Sequence, residues 1–162
     1  MRHFDSCKLA IEFVGHNLNA CRIIEFGFGE NTLLFLNKNI FPKLSTLISF
    51  ETNKNQIDII EKRVPSNEKY KWLKFISNNT NKLVNYAKVY SPVDCLLINE
   101  KPIGYKSKLF QVAHEISNII ILCGTHDKPE EFISKFRYKV NFGTSNDWSV
   151  VVSNIINISI WS

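Results

Sequence analysis

The residues of this chain whose types and spacing could do chemistry begin with Ile23-Ile24-Glu25-Phe26-Gly27-Phe28-Gly29-Glu30-Asn31-Thr32. An apolar run carries Glu25 near its end, two glycines follow at alternate positions, and a helix-compatible stretch begins after them. Glycine lets a backbone turn sharply and pass close to a ligand, because no Cβ stands in the way. Between a strand and a helix, such a turn lets the backbone pass close to a ligand and enter the helix sharply. A second acid, Glu51, ends Leu47-Ile48-Ser49-Phe50-Glu51, 24 residues beyond Gly27. A carboxylate there can accept hydrogen bonds from both hydroxyls of a ribose. His126, followed by Asp127 at the end of another apolar run, can act as general base toward a hydroxyl acceptor.

Each of these also has a plain structural reading. Gly27 and Gly29 can simply build a tight strand-to-helix turn, Glu51 can be a surface acid at a strand end, and His126 can be a hydrogen-bonded loop histidine. The elements that must position them decide between the readings. Apolar residues spaced as on one helix face predict helices over 6–17, 31–37, 54–64, 82–88, 108–117 and 129–136. Short apolar runs predict strands over 21–26, 47–50, 72–76, 94–98 and 118–123. The rhythm then changes. Segments 138–142 and 148–153 read as strands, and the five residues between them are too few for a crossover helix, so the pair is an antiparallel hairpin. Segment 155–161 is either a short edge strand or a packed tail. Strand–helix alternation closed by a hairpin predicts an α/β fold, a doubly wound and mostly parallel sheet of seven strands with helices on both faces.

We expect one domain over 1–162, with an N-terminal helical segment over 1–20, a core over 21–153 and a tail over 154–162. The length suits one domain. Hydrophobic residues make up 44% and charged residues 22%, which excludes a disordered chain on composition. No apolar stretch approaches the ~20 residues needed to cross a bilayer, so no membrane partner is expected. Asp5, Lys8 and Glu12 interrupt the place where a signal peptide needs an apolar core, which makes cytoplasmic the expected location. Cys7, Cys21, Cys95 and Cys123 are spread singly, with no Cys-x-x-Cys pair, and are expected as small buried thiols in a reducing compartment. They offer no zinc cluster. The net charge of +5 admits an anionic partner, but the lysines are scattered and equally suit a solvated surface.

Together, Glu25-x-Gly27-x-Gly29, the acid at Glu51 and the closing hairpin resemble the class I S-adenosylmethionine-dependent methyltransferases, from about residue 21 to 153. The resemblance implies S-adenosylmethionine as cofactor, with Gly27, Phe28 and Gly29 under its methionine part and Glu25 holding backbone or the amino group. It implies Glu51 on the ribose, Ser77-Asn78-Asn79 beside the adenine, and Asn99 and Glu100 where the fourth strand meets cofactor and substrate. The implied cofactor set is Glu25, Gly27, Phe28, Gly29, Thr32, Glu51, Asn78, Asn79 and Asn99, with His126 and Glu100 as catalytic candidates.

The chain departs from the family pattern in several places. Asn31 replaces the usual third glycine, and Asn99 stands where an acid is common. No Asp/Asn-Pro-Pro-Tyr motif is present, and Thr125 and His126 do not match a Lys-Asp-Lys-Glu tetrad. Asn99, Glu100 and Asp127 make a poor metal cluster, so no metal is expected. No insertion remains to form a substrate cap. The expected partners are therefore a small-molecule or RNA acceptor, with a homodimer or partner subunit completing the pocket. Two other readings stay open: a noncatalytic binding or scaffolding subunit of the same fold, and an NAD-dependent dehydrogenase. The latter wants glycine where this chain has Thr32 and leaves the hairpin unexplained.

Overall fold

A computed structural model of the chain describes residues 5–27, 29–64, 70–99, 106–125 and 127–161. Seven strands form one sheet: β1 (Arg22–Phe26), β2 (Thr46–Glu51), β3 (Lys71–Ile76), β4 (Cys95–Asn99), β5 (Ile120–Gly124), β6 (Tyr138–Gly143) and β7 (Trp148–Ser153). Their order is β3-β2-β1-β4-β5-β7-β6. The first five are parallel, with β1 between β2 and β4. β7 inserts antiparallel between β5 and β6. The expected sheet and closing hairpin are both present.

The helices are α1 (Ser6–Asn17), α2 (Glu30–Phe35), α3 (Lys54–Glu61), α4 (Thr80–Tyr90), α5 (Lys106–Ile116) and α6 (Glu130–Ser134). Alternation along each strand sends successive side chains to opposite faces. On one face Ile23, Leu47, Leu97, Ile121 and Val151 meet Ala10, Ile11 and Val14 of α1 and Phe35 of α2. α3 joins that side through Ile57 and Ile60, which pack with Leu33 and Trp72. On the other face Ile24, Ile48, Leu96, Leu122 and Val150 meet Val84 of α4, Leu109 and Ala113 of α5 and Ile133 of α6. The central strands β1, β4, β5 and β7 are almost wholly buried, whereas the edge strands β3 and β6 alternate between half-buried and exposed.

Local chemistry sets the helix starts. Asp5 caps α1 by accepting the Lys8 N–H, and Asn53 caps α3 by accepting the Asn55 N–H. Asn79 accepts the Lys82 N–H, which starts α4 two residues before the apolar pattern does. In α1, Ala10, Ile11 and Val14 are fully buried, and the two branched residues contribute roughly 1.5–3 kcal/mol each. α2 and α3 end at Phe35 and Glu61, short of their expected limits. Of the two readings of the C-terminal segment, the packed tail is right: Ile158–Trp161 form a 3-10 turn with Ile158 buried. No helix among the described residues is long and apolar enough to cross a membrane.

Candidate functional site

In an open α/β sheet, ligands bind beyond the C-terminal ends of the strands, where the strand order reverses. Here that point lies between β1 and β4, and β1 ends in the glycine turn. Gly27 takes φ 102°, a left-handed conformation that side-chain-bearing residues rarely adopt. Its N–H donates to the Phe50 carbonyl at 3.0 Å, which ties the turn to β2. Gly29 is extended, with φ 170°, and apart from its two chain neighbours a Cβ placed on it would meet no heavy atom within 4 Å.

Beneath the turn, Glu25 is fully buried. Its Oε1 accepts from the Ser49 hydroxyl at 2.6 Å and the Thr32 hydroxyl at 2.8 Å. The Trp72 indole N–H in turn donates to Ser49 Oγ at 2.9 Å, and the Gly29 N–H donates to Thr32 Oγ1 at 3.3 Å. The β1–β2 register places Glu25 opposite Ser49, and Trp72 joins from β3, so this network bridges three strands and α2. Oε2 of Glu25 has no hydrogen-bond partner among the described residues. Burial raises the Glu25 pKa to about 7, against the lowering effect of the Ser49 and Thr32 hydrogen bonds, and nearby Glu51 raises it further. A buried carboxyl with one orphaned oxygen is suited to receive a donor or a cation.

Glu51, at the end of β2, is 5% exposed. Its Oε1 accepts the N–H groups of Thr52 at 2.7 Å and Asn53 at 3.0 Å. The following backbone thus holds the carboxylate in a fixed direction. Asn99 ends β4 half-buried, opposite Cys123 of β5. Asn78 and Asn79 lie exposed between β3 and α4, and the Asn79 side chain is committed to its helix cap. Phe28, Glu100 and His126 lie outside the described residues. The structure therefore brings Glu25, Gly27, Gly29 and Thr32 into one unit with Glu51 on the next strand. Thr32, fully buried, serves that unit through Glu25.

A cavity of about 570 Å³ opens beside the turn, walled by Cys7, Asn31, Asn99, Cys123, Gly124 and Thr125, with Asp5, Glu30 and Asp147 also lining it. A second groove of about 670 Å³ shares Thr125 and runs past Asp127 and Asn141 toward the β6–β7 hairpin. His126 follows the shared residue in sequence.

The expectation of four free thiols is wrong for two of them. Cys7 and Cys123 form a disulfide, 116 residues apart in sequence with Cα atoms 5.6 Å apart. Cys21 and Cys95 are free, but Cys21 is exposed rather than buried as expected, so only Cys95 is the buried thiol anticipated. The pairing arises because α1 packs across β5 and β7, setting its first turn over the end of β5. A separation so large leaves no sequence signal. Sequence reasoning also missed the second tie on that turn. Asp147, in the hairpin, accepts the Ser6 N–H at 3.1 Å and the Ser6 hydroxyl at 2.7 Å.

No protein-family model matches this chain, and no curated protein matches its sequence. Solved structures do match its fold. Human methyltransferase-like protein 13, solved in complex with SAH, superposes at TM-score 0.65 with 10% identity, covering 92% of this chain and 82% of that one. The methyltransferase domain of bacterial CtHen1-CN gives TM-score 0.63 at 14% identity, covering 92% and 98%. A spermidine synthase in complex with the transition state analogue AdoDATO gives 0.65 at 14% identity, covering 99% of this chain but 63% of its own length. The chain has the fold of the class I S-adenosylmethionine-dependent methyltransferases. That methyltransferase fold differs from the usual dinucleotide-binding order, 3-2-1-4-5-6, through the strand inserted antiparallel between β5 and β6. That inserted strand belongs to the hairpin which the dehydrogenase reading left unexplained.

Proposed function

We propose that this chain binds S-adenosylmethionine across the ends of β1, β2 and β4 and transfers its methyl group to a small-molecule or RNA acceptor. The observation that carries the reading is the glycine turn built on a buried Glu25 carboxyl, tied to Gly29 through Thr32 and left with one orphaned oxygen. An amino acid ammonium is the kind of group that such an oxygen would receive, and Glu51 offers a fixed carboxylate to ribose hydroxyls. Solved neighbours of this fold, such as human methyltransferase-like protein 13, carry SAH.

The bound cofactor supplies an activated methyl group on a sulfonium, so the chain needs little acid–base chemistry. Its residues bind and orient. The Gly27–Gly29 turn admits the ligand close to the backbone, Thr32 and Ser49 hold Glu25 in direction, and Glu51 fixes the nucleoside end. The cavity walled by Asn99, Gly124 and Thr125 then admits an acceptor alongside, where alignment at about 3–3.5 Å is the main requirement. His126 and Glu100 remain the candidates for removing an acceptor proton.

Isothermal titration with S-adenosylmethionine, S-adenosylhomocysteine and NAD tests the reading. Binding of the first two and not the third supports it; binding of NAD alone would sink it. Tight binding of S-adenosylmethionine with no turnover across hydroxyl, amine and RNA acceptors would instead establish a noncatalytic binding subunit. If His126 is the base, turnover falls as pH drops through about 6.5, and His126→Ala removes that dependence.

A further inference from the structure

We propose that Cys7–Cys123 is a thiol–disulfide exchange site for small-molecule thiols, and that it couples the redox state of the chain to ligand occupancy of the neighbouring cavity. Both cysteines belong to the cavity wall, so a thiol entering the cavity reaches the bond even though the residues are only 7% and 4% exposed. Asn31 marks the direction of attack. Its side-chain N–H donates to Cys7 Sγ at 3.2 Å, and that donor stabilises negative charge on Cys7 as the bond breaks. The incoming thiolate therefore bonds to Cys123 Sγ, and Cys7 leaves with the electron pair. A second thiol then attacks the mixed disulfide, releasing the Cys123 thiolate and a small-molecule disulfide, and both cysteines take protons from water.

What exchange alters is confined to one turn. The body of α1 is held by the buried side chains of Ala10, Ile11 and Val14, which the bond does not touch. The first turn, carrying Asp5 and Cys7 on the cavity wall, is held by the disulfide and by Asp147 on Ser6. With the bond intact, that wall is preformed. With the bond reduced, a ligand must reorder the turn, and binding weakens by about threefold to tenfold. By reciprocity, bound ligand protects the bond against reduction by the same factor. This coupling rests on the cofactor reading above; the exchange site does not.

The test uses the intact chain across a dithiothreitol series, with differential alkylation read by peptide mass spectrometry. The expected result is a linked Cys7–Cys123 pair without reductant, while the exposed Cys21 alkylates freely. On reduction, hydrogen exchange quickens at residues 6–11, whose amides lie in the first turn or bond back to it, and stays unchanged at 14–17, and the S-adenosylhomocysteine Kd rises about threefold to tenfold. Cys123→Ser reproduces the reduced state, and Cys21→Ser behaves as wild type. The reversible reduction of wild type keeps the test decisive if Cys123→Ser fails to fold. Cys7 and Cys123 both alkylating in oxidised protein would overturn the exchange site. A pair that stays linked across the dithiothreitol series likewise overturns the exchange site, whereas a pair that reduces with hydrogen exchange and affinity unchanged overturns the coupling alone. Absence of S-adenosylhomocysteine binding in both states overturns the coupling together with the cofactor reading.

Discussion

The two sides of the candidate site are built in different ways. On the β1–β2 side, Glu25, Gly27, Thr32, Ser49 and Glu51 come from one strand–helix–strand unit, joined by short hydrogen bonds and a parallel register. On the β5 side, Cys7, Asn31, Asn99, Cys123 and Asp147 come from five separate segments, held by a disulfide and a hairpin carboxylate. The first side is local and legible, and its elements would remain in register if α1 were loosened. The second exists only after the whole chain has closed. The proposed cofactor half should therefore keep its geometry when the disulfide is cut, its affinity falling only by the roughly threefold to tenfold given above, while the proposed acceptor half is conditional on closure of the chain.

The largest test of that contrast is removal of the disulfide. Closing a loop of this length limits the unfolded chain by about 4–5 kcal/mol in the chain-entropy account. Cys7→Ser with Cys123→Ser should lose most of that in a denaturant titration, and a reductant series on wild type should do the same. Loss of Glu25 geometry in the double variant, seen as loss of S-adenosylhomocysteine binding in a chain that remains folded, would break the division into two halves.

The next effect comes from Glu25 itself. An unfolded glutamate titrates near ~4.3, whereas burial pushes Glu25 up to about 7. Between those values the folded state binds more protons, so stability of the unliganded protein falls as pH rises through that window and levels off above it. The loss is about 3 kcal/mol for a shift of this size. Glu25→Gln should flatten the dependence in thermal melts at pH 5 and 8. Binding of a ligand ammonium should run the opposite way and tighten as Glu25 ionises. A melt curve for wild type with no slope between pH 4.5 and 7 would show that Glu25 is not held in this environment.

Glu51→Ala should weaken S-adenosylmethionine binding by roughly one to two orders of magnitude, the cost of about 1.5–3 kcal/mol in charge-assisted hydrogen bonds. Unchanged affinity by titration would remove Glu51 from the ribose role. The smallest effect sharpens the boundary of the site. Asn79→Ala should cost about 1 kcal/mol through loss of the α4 cap, with cofactor affinity unaltered. A drop in affinity larger than the drop in stability would put Asn79 in the adenine contact after all.

Much of this was open to sequence reasoning because its signals are short-range. The period of the apolar residues located the helices, each of which buries one face, and short continuous apolar runs located the central strands, which are buried on both. The brief link between β6 and β7 gave their antiparallel pairing, because no crossover fits in so few residues. Gly27 was legible as a turn because few other residues tolerate a positive φ there. The partners of Glu25 were less so. Thr32 lies within the motif, but Ser49 and Trp72 join only through strand register, which depends on how β1, β2 and β3 align.

The sequence by itself thus determined the alternating elements, the α/β class, the glycine turn and the two acids at strand ends, all of which follow from neighbours a few residues apart. Only the tertiary structure decided that Cys7 bonds Cys123, that Asp147 holds the first turn of α1, and that Asn31 and Asn99 face one cavity. The physical reason is distance along the chain. A disulfide across 116 residues, or a hydrogen bond across 141, depends on where packing sets whole elements, and no local pattern encodes that placement.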